Sequence, residues 1–217
     1  MELNTPQVKP KRPYDSRRRR QEARRTRTGV LDTAQRLFLA NGYSETTIAS
    51  IAEAADVSVE TVYKAFGGKR GLVRAIWDRG LEGSGPIPAE RRSDEMQLVE
   101  ADPRQVIRNW GRLSAEVSPR AAPILLLLRT AAATDSEMAT LLQEVDDARL
   151  TRMEHNARRL HDRGELRDGV TLAQARDVLW TYSSPELYEL LVLRRGWALE
   201  RYGRFIAEAM IAALLPE

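Results

Sequence analysis

Thr46-Thr47-Ile48-Ala49-Ser50-Ile51-Ala52-Glu53-Ala54-Ala55-Asp56-Val57-Ser58-Val59-Glu60-Thr61-Val62-Tyr63-Lys64-Ala65-Phe66 is the stretch of this 217-residue chain that decides its fold. Behind a threonine at the N-cap position, Ile48, Ile51, Ala52 and Ala55 recur at helical spacing. Asp56-Val57-Ser58 is a tight break, and Ser58 is placed to cap a second short helix in which Val62 and Phe66 stand four apart. Ala52 lies where two steeply crossed helices would come closest, so a small side chain is required there. Asp56 falls four residues later, where a left-handed backbone is expected. Glycine suits that conformation best, and aspartate is among the few residues that tolerate it. Val62 is spaced to plug the second helix into the first. Small residue, turn and apolar plug in this order predict a helix-turn-helix over 46–66. Three adjoining helices of a plain bundle are the alternative, which the brevity of both helices disfavours.

Working outward, Val30, Leu31, Ala34, Leu37 and Phe38 share one helical face upstream, and Asn41-Gly42 ends that helix. Downstream, Gly67-Gly68 closes the second short helix, and a further one runs from about Lys69 through Leu72, Val73, Ile76, Trp77 and Leu81. The run Gly83-Ser84-Gly85-Pro86-Ile87-Pro88 reads as a linker, with charged residues following it to Asp94. Amphipathic helices are expected at about 103–117, 120–134, 136–163, 172–182, 185–195 and 198–215, with Pro103, Pro119, Pro123 and Pro185 at or near helix starts. Strand-like alternation is scarce. The expected fold is all-α, in three parts: a disordered basic arm over 1–24, a helix-turn-helix domain over 25–80 and a helical regulatory and dimerisation domain over 81–217.

Charge is unevenly spread. Residues 1–28 carry ten Lys or Arg and three Asp or Glu in a chain whose net charge is only +3, so the remainder is net acidic. Pro6, Pro10 and Pro13 among those charges point to disorder. Arg17 to Arg20 with Arg24, Arg25 and Arg27 form a cationic arm, suited to phosphate contact and lacking the interleaved apolar face of a membrane-surface helix. Residues 29–80 balance six basic against six acidic side chains, so long-range attraction to a polyanion has to come from the arm. The N-terminus has no apolar stretch behind its charges, and the longest apolar run, 123–133, is broken by Arg129. No membrane association is expected, and a cytoplasmic location follows as the expectation. Chemistry is sparse: no cysteine, two histidines, no glycine-rich phosphate loop and no G-x-S-x-G elbow. His155 and His161 stand six apart, which is not the spacing of metal ligands on one helix face. No enzyme activity, metal or cofactor is expected.

Residues 28–77 resemble the DNA-binding domain of the TetR (tetracycline repressor) family of bacterial regulators. The resemblance rests on Ala34-Gln35-Arg36-Leu37-Phe38 with Gly42-Tyr43, on Thr46-Thr47-Ile48 and Ile51-Ala52, on Val57-Ser58 and Thr61-Val62-Tyr63, and on Phe66 before Lys69 and Leu72. It implies that Thr47, Tyr63 and Lys69 meet phosphates while Ser58, Val59, Glu60 and Lys64 face the major groove. Physical chemistry agrees: Val59 suits a thymine methyl and Glu60 a cytosine amino group. Arg25 and Arg27 join the expected contacts from the arm. Asp56, where the family commonly has glycine, and the acidic Glu60 depart from the pattern.

The resemblance further implies a homodimer on a palindromic operator of double-stranded DNA, and a small-molecule effector held by the C-terminal helices. Trp110, Leu126, Arg129, Trp180 and Tyr182 are the candidate pocket residues, with Leu113 and Met153 as further large residues on apolar helices. Arg129 would meet an anionic group, or else pair with Asp135 or Glu137. Helices 172–195 and 198–215 are the candidate dimer interface, with Gly203, Ala207, Ala209, Ala212 and Ala213 allowing a partner helix to approach. Two alternatives stand beside this reading: a sequence-tolerant architectural DNA binder, and a regulator with no small-molecule effector.

Overall fold

A computed structural model describes residues 16–83 and 87–217. Among these residues every regular element is a helix: α1 (Ser16–Asn41), α2 (Ile48–Ala54), α3 (Val59–Phe66), α4 (Lys69–Glu82), α5 (Ala89–Val99), α6 (Pro103–Ala132), α7 (Ser136–Asp162), α8 (Leu172–Tyr182), α9 (Pro185–Tyr188) with a π-helical continuation Glu189–Arg194, and α10 (Leu199–Leu214).

The helix-turn-helix forms for the reasons legible in its sequence. The Ser50 N–H donates to Thr47 Oγ1 at 3.0 Å and the Thr47 N–H returns to Ser50 Oγ at 3.2 Å, a reciprocal cap on α2. The Thr61 N–H donates to Ser58 Oγ at 3.1 Å and caps α3. Asp56 adopts φ 52°, the left-handed turn expected of it, and Gly67 ends α3 with φ 74°. Buried Thr46 donates to the Gly42 carbonyl at 2.8 Å and closes the α1–α2 corner. Ala52 and Val62 are buried between the helices they were expected to join, in one core with Ala34, Phe38, Ile51, Leu72 and Ile76.

That core does not stop at the headpiece. Ala121, Ile124, Leu125 and Leu128 of α6, with Met138 and Leu141 of α7, belong to the same buried cluster. At the crossing of α4 on α6, a Cβ placed on Gly80 would lie 3.2 Å from Ala121 Cα, so the backbones meet closely. A second cluster joins α6 to α8, α9 and α10.

Four expectations need correction. Residues 1–15 of the expected disordered arm lie outside the described residues, but 16–24 are helical and extend α1. Arginine is a good helix former, no proline falls between Pro13 and the end of α1, and Arg18 pairs with Glu22 at 2.9 Å across one turn. The expected helices 103–117 and 120–134 are one, α6, which runs through Pro119 and Pro123. An internal proline costs a helix about 3 kcal/mol, and here it is offset by the buried face from Ala121 to Leu128. The stretch read as a charged linker tail holds α5, whose buried stripe is Ala89, Ser93 and Gln97. Its spacing is helical, but no apolar period announces it. Finally, Gly203 and Ala207 face α6 of the same chain: a Cβ on Gly203 would meet Gly111 O at 2.7 Å and Ala115 Cβ at 3.1 Å.

The Gly111–Gly203 crossing therefore sets how closely α10 seats. Gly203→Ala is expected to lower unfolding stability by about 1–3 kcal/mol through overpacking. Gly29→Ala, at an exposed α1 position with nothing within 4 Å, is expected to raise it by about 0.5–1 kcal/mol. Urea denaturation of both variants checks the pair.

Candidate nucleic-acid interface and effector cavity

α3 is amphipathic over its whole short length. Val62 and Phe66 are buried, whereas Val59, Glu60, Tyr63 and Lys64 at the i, i+1, i+4 and i+5 positions are exposed. Tyr63 is 53% exposed and Val59 42% exposed, so both expected contact residues stand outside the core. Thr47 is exposed at the start of α2, where its oxygen accepts the Ser50 N–H and its hydroxyl proton is left to donate outward. The structure thus brings Thr47, Ser58, Val59, Glu60, Tyr63 and Lys64 onto or beside the solvent face of the helix-turn-helix.

The two arginines expected to help are placed differently. Arg25 is exposed on α1. Arg27 is drawn into the headpiece: Nη1 donates to the Ala65 carbonyl at 2.6 Å, and the guanidinium lies 4.2 Å from the centre of the Phe66 ring. It clamps α1 onto the C-terminal turn of α3, where a cation also complements the helix dipole.

Lys69 begins α4 but does not extend freely. Its Nζ donates to the Tyr43 carbonyl at 2.6 Å and stands 4.0 Å from the Tyr43 ring centre. Burial lowers its pKa, against the attraction of Asp135 and Glu45. Tyr43 stacks on Phe38, and its hydroxyl feels the Asp135 carboxylate. Burial first, then the negative charges of Asp135 and Glu137, push the Tyr43 phenol up to about 12. Asp135 is also the N-cap of α7, accepting the Met138 N–H at 3.1 Å. Tyr43 and Lys69 of the headpiece therefore share a polar junction with the first turn of a helix in the C-terminal part. Arg70 pairs with Glu144 of α7 beside it, at 2.6 Å. Sequence reasoning missed Asp135 in this role, since nothing local marks an N-cap as a tertiary partner.

Behind the headpiece, α4, α5, α6, α7, α8 and α10 line a partly open cavity of about 380 Å³. Of the expected pocket residues it takes Trp110 and Tyr182, with Leu113 and Met153, while Leu126, Arg129 and Trp180 are not in its wall. Arg129 turns instead to Glu186 and to Asp146 at 3.6 Å, rather than to Glu137 or Asp135. Trp180 packs beyond the wall, its ring 5.3 Å from the Arg149 guanidinium. Leu126 is half-buried elsewhere on α6. Trp77, Ser93, Arg149, Arg152 and Asn156 were not expected and do line the cavity. Asn156 carried a signal: it is a polar residue on the buried side of α7, one position before Ala157.

Among the described residues no helix is long and apolar enough to cross a membrane. The model of the family of bacterial regulatory proteins named after TetR matches residues 30–76, which span α1 to α4. The transcriptional regulator AcrR of Shigella flexneri is 34% identical over 93 residues, which is 43% of this chain and 41% of that protein. TtgR of Pseudomonas putida is 40% identical over 62 residues, or 29% of this chain and 30% of the relative. The aligned stretches thus span less than half the length of these curated relatives. Among solved structures, NalD, the secondary repressor of the MexAB-OprM multidrug efflux pump in Pseudomonas aeruginosa, superposes with a TM-score of 0.71. At 21% identity that match covers 90% of this chain and 98% of NalD, a likeness of fold across both parts. Residues 30–76 are thus similar to the TetR family of bacterial regulatory proteins, and the all-α architecture that carries them is shared with solved structures such as that of NalD.

Proposed function

We propose that this protein is a sequence-specific DNA-binding regulator, a homodimer that represses from a palindromic operator and is released by a small molecule in the cavity. The observation that carries the reading is the solvent face of α3. Val59, Glu60, Tyr63 and Lys64 stand exposed on a helix whose opposite side is locked into the core. Such a helix presents base-reading chemistry without spending it on folding. Thr47 and Tyr63 flank it as phosphate contacts, and Lys69 reaches a phosphate if it leaves Tyr43. Glu60 disfavours indiscriminate binding, because an acidic side chain against the duplex is tolerated only where it finds a donor. The resemblance to regulators named as repressors supports the sign of regulation, and the cavity supports an effector.

One α3 buries too little surface for useful specificity, whereas two reading half-sites a DNA turn apart define an operator. Leu190 and Leu193 on the π-helical turn and Phe205 on the outer face of α10 are exposed, with Trp197 packed edge-on against Phe205 at 5.5 Å. These side chains, with Ala209 and Ala212 on the same side of α10, form the face offered to a second copy. The domain division follows: residues to about 80 read DNA, and the remainder senses and dimerises.

Selection of bound sequences from a random DNA pool is expected to return a palindrome. Glu60→Ala is expected to relax its preference at one position per half-site and to raise affinity for random DNA, while Tyr63→Phe weakens all sequences alike by about 1 kcal/mol or more. Recovery of no shared sequence would favour the architectural alternative. Sedimentation at micromolar concentration is expected to show a dimer, and Phe205→Glu to shift it towards monomer; a monomeric wild-type chain contradicts the proposal.

The junction offers a third measurement. Because Tyr43 titrates above its ordinary value of 10.0, its contribution to stability is complete below pH 10.0 and is lost as pH rises through the folded value of about 12. Asp135→Asn keeps the α7 cap but removes a charge. It is expected to bring the Tyr43 phenol down, though not fully, since burial is the larger cause. Ultraviolet titration against Tyr43→Phe controls reads the change.

A further inference from the structure

The charged groups in the cavity wall are already matched. Arg149 donates to Asp146 at 2.9 Å and to the Ser183 carbonyl at 3.2 Å. Arg152 forks onto Asp94 at 2.7 and 3.1 Å and reaches Glu90 at 3.2 Å. A charged ligand would have to take one partner from these pairs and strand the other in a partly buried site, which is costly.

What remains unmatched is neutral. Trp110 on α6 and Asn156 on α7 both line the cavity, and each is only 6% exposed. Neither the Trp110 Nε1–H nor the Asn156 Oδ1 has a hydrogen-bond partner among the described residues. Buried polar groups of native proteins are almost always paired, so two orphans in one cavity wall need an explanation. Their senses are opposite: one is a donor, the other an acceptor. A hydroxyl or primary amide has the chemistry for both, since it can accept from an indole N–H and donate to an amide oxygen. The rest of the wall is largely apolar, including Leu113, Val117, Leu125 and Met210.

We propose that the cavity takes an uncharged, mainly apolar molecule carrying one group that both donates and accepts a hydrogen bond, directed at the wall that Trp110 and Asn156 share in forming. This rests on the reading of the cavity as the effector site. Charge selects against carboxylates and ammonium ions, and the donor–acceptor pair selects against pure hydrocarbons and ethers.

The test uses the full-length protein at neutral pH with a matched series: para-hexylphenol, its methyl ether para-hexylanisole, para-hexylbenzoate and para-hexylbenzylamine. Calorimetry is expected to show the phenol binding at least about tenfold more tightly than the other three, and thermal shifts to follow the same order. Trp110→Phe and Asn156→Leu are each expected to weaken the phenol about tenfold, and Asn156→Leu to leave the ether, which accepts but cannot donate, unchanged. Equal or tighter binding of the benzoate or the amine, or equal losses for phenol and ether in Asn156→Leu, overturns the neutral-ligand proposal and leaves the cavity standing as an effector site. Binding of no member, by a protein that still holds its selected operator, overturns both.

Discussion

The double burial of α4 is the constraint on which the rest depends. On one side Leu72, Val73 and Ile76 fill the headpiece core; on the other, Trp77 and Gly80 seat against α6 and the cavity. A fourteen-residue helix is about 21 Å long at 1.5 Å per residue, so α4 spans from the Lys69 end beside the DNA-facing surface to Trp77 and Leu81 in the cavity wall. Because both faces are buried in one continuous cluster, the headpiece is not a bead on a string. Its orientation is set by the bundle, and a change in the bundle reaches it through a rigid element rather than through a linker.

The arginine arm acquires a different character once its last part is helical. A disordered arm would contact phosphates in many arrangements, each adding counterion release with little geometry. Arg17 to Arg24 on α1 keep a fixed spacing relative to the helix-turn-helix, since α1 is itself part of the headpiece core. Arg27 contributes to folding by holding α3. Any long-range pull on a polyanion thus falls to residues upstream of it, in front of a headpiece whose own charges cancel.

How much of this could be read from the chain depended on whether a residue's partner was near in sequence. Thr47, Asp56, Ser58 and Val62 act within a few residues of themselves, and the helix-turn-helix they build was legible in detail. The helix α5 was not, because two of its three buried residues, Ser93 and Gln97, are polar and the third, Ala89, is too small to mark an apolar period. The union of two expected helices into α6 was not, because proline is read locally as a stop, and only the burial of the face after it shows why it is tolerated. Gly203 showed its need for a close neighbour correctly but not whose: smallness signals an approach, and its spacing cannot say whether the approaching helix is in the same chain. Of the cavity residues, Trp110 and Tyr182 were found from their size, whereas Arg129 was diverted by Glu186, more than fifty positions away.

Magnitudes decide how a proposed ligand-driven switch can work. Allosteric coupling is typically about 1–3 kcal/mol. Displacing α4 from α6 altogether would expose Trp77, Leu125 and Leu128, each worth about 1.5–3 kcal/mol when fully buried, so separation is too expensive for such a coupling. The Lys69–Tyr43 carbonyl hydrogen bond is worth about 0.5–1.5 kcal/mol, and the exposed pairs of Arg70 and Arg74 with Glu144 about 0–1 kcal/mol each. These polar contacts lie within reach of the coupling, and the apolar contact does not. A switch in this chain must therefore keep α4 packed while tilting it, exchanging the junction at Asp135 and Glu144 rather than opening the core. Lys69 stands at that junction with Tyr43 and Asp135 as its present neighbours. A tilt that draws it away from them frees its ammonium, and under the proposed function that is the movement that would deliver it to a phosphate.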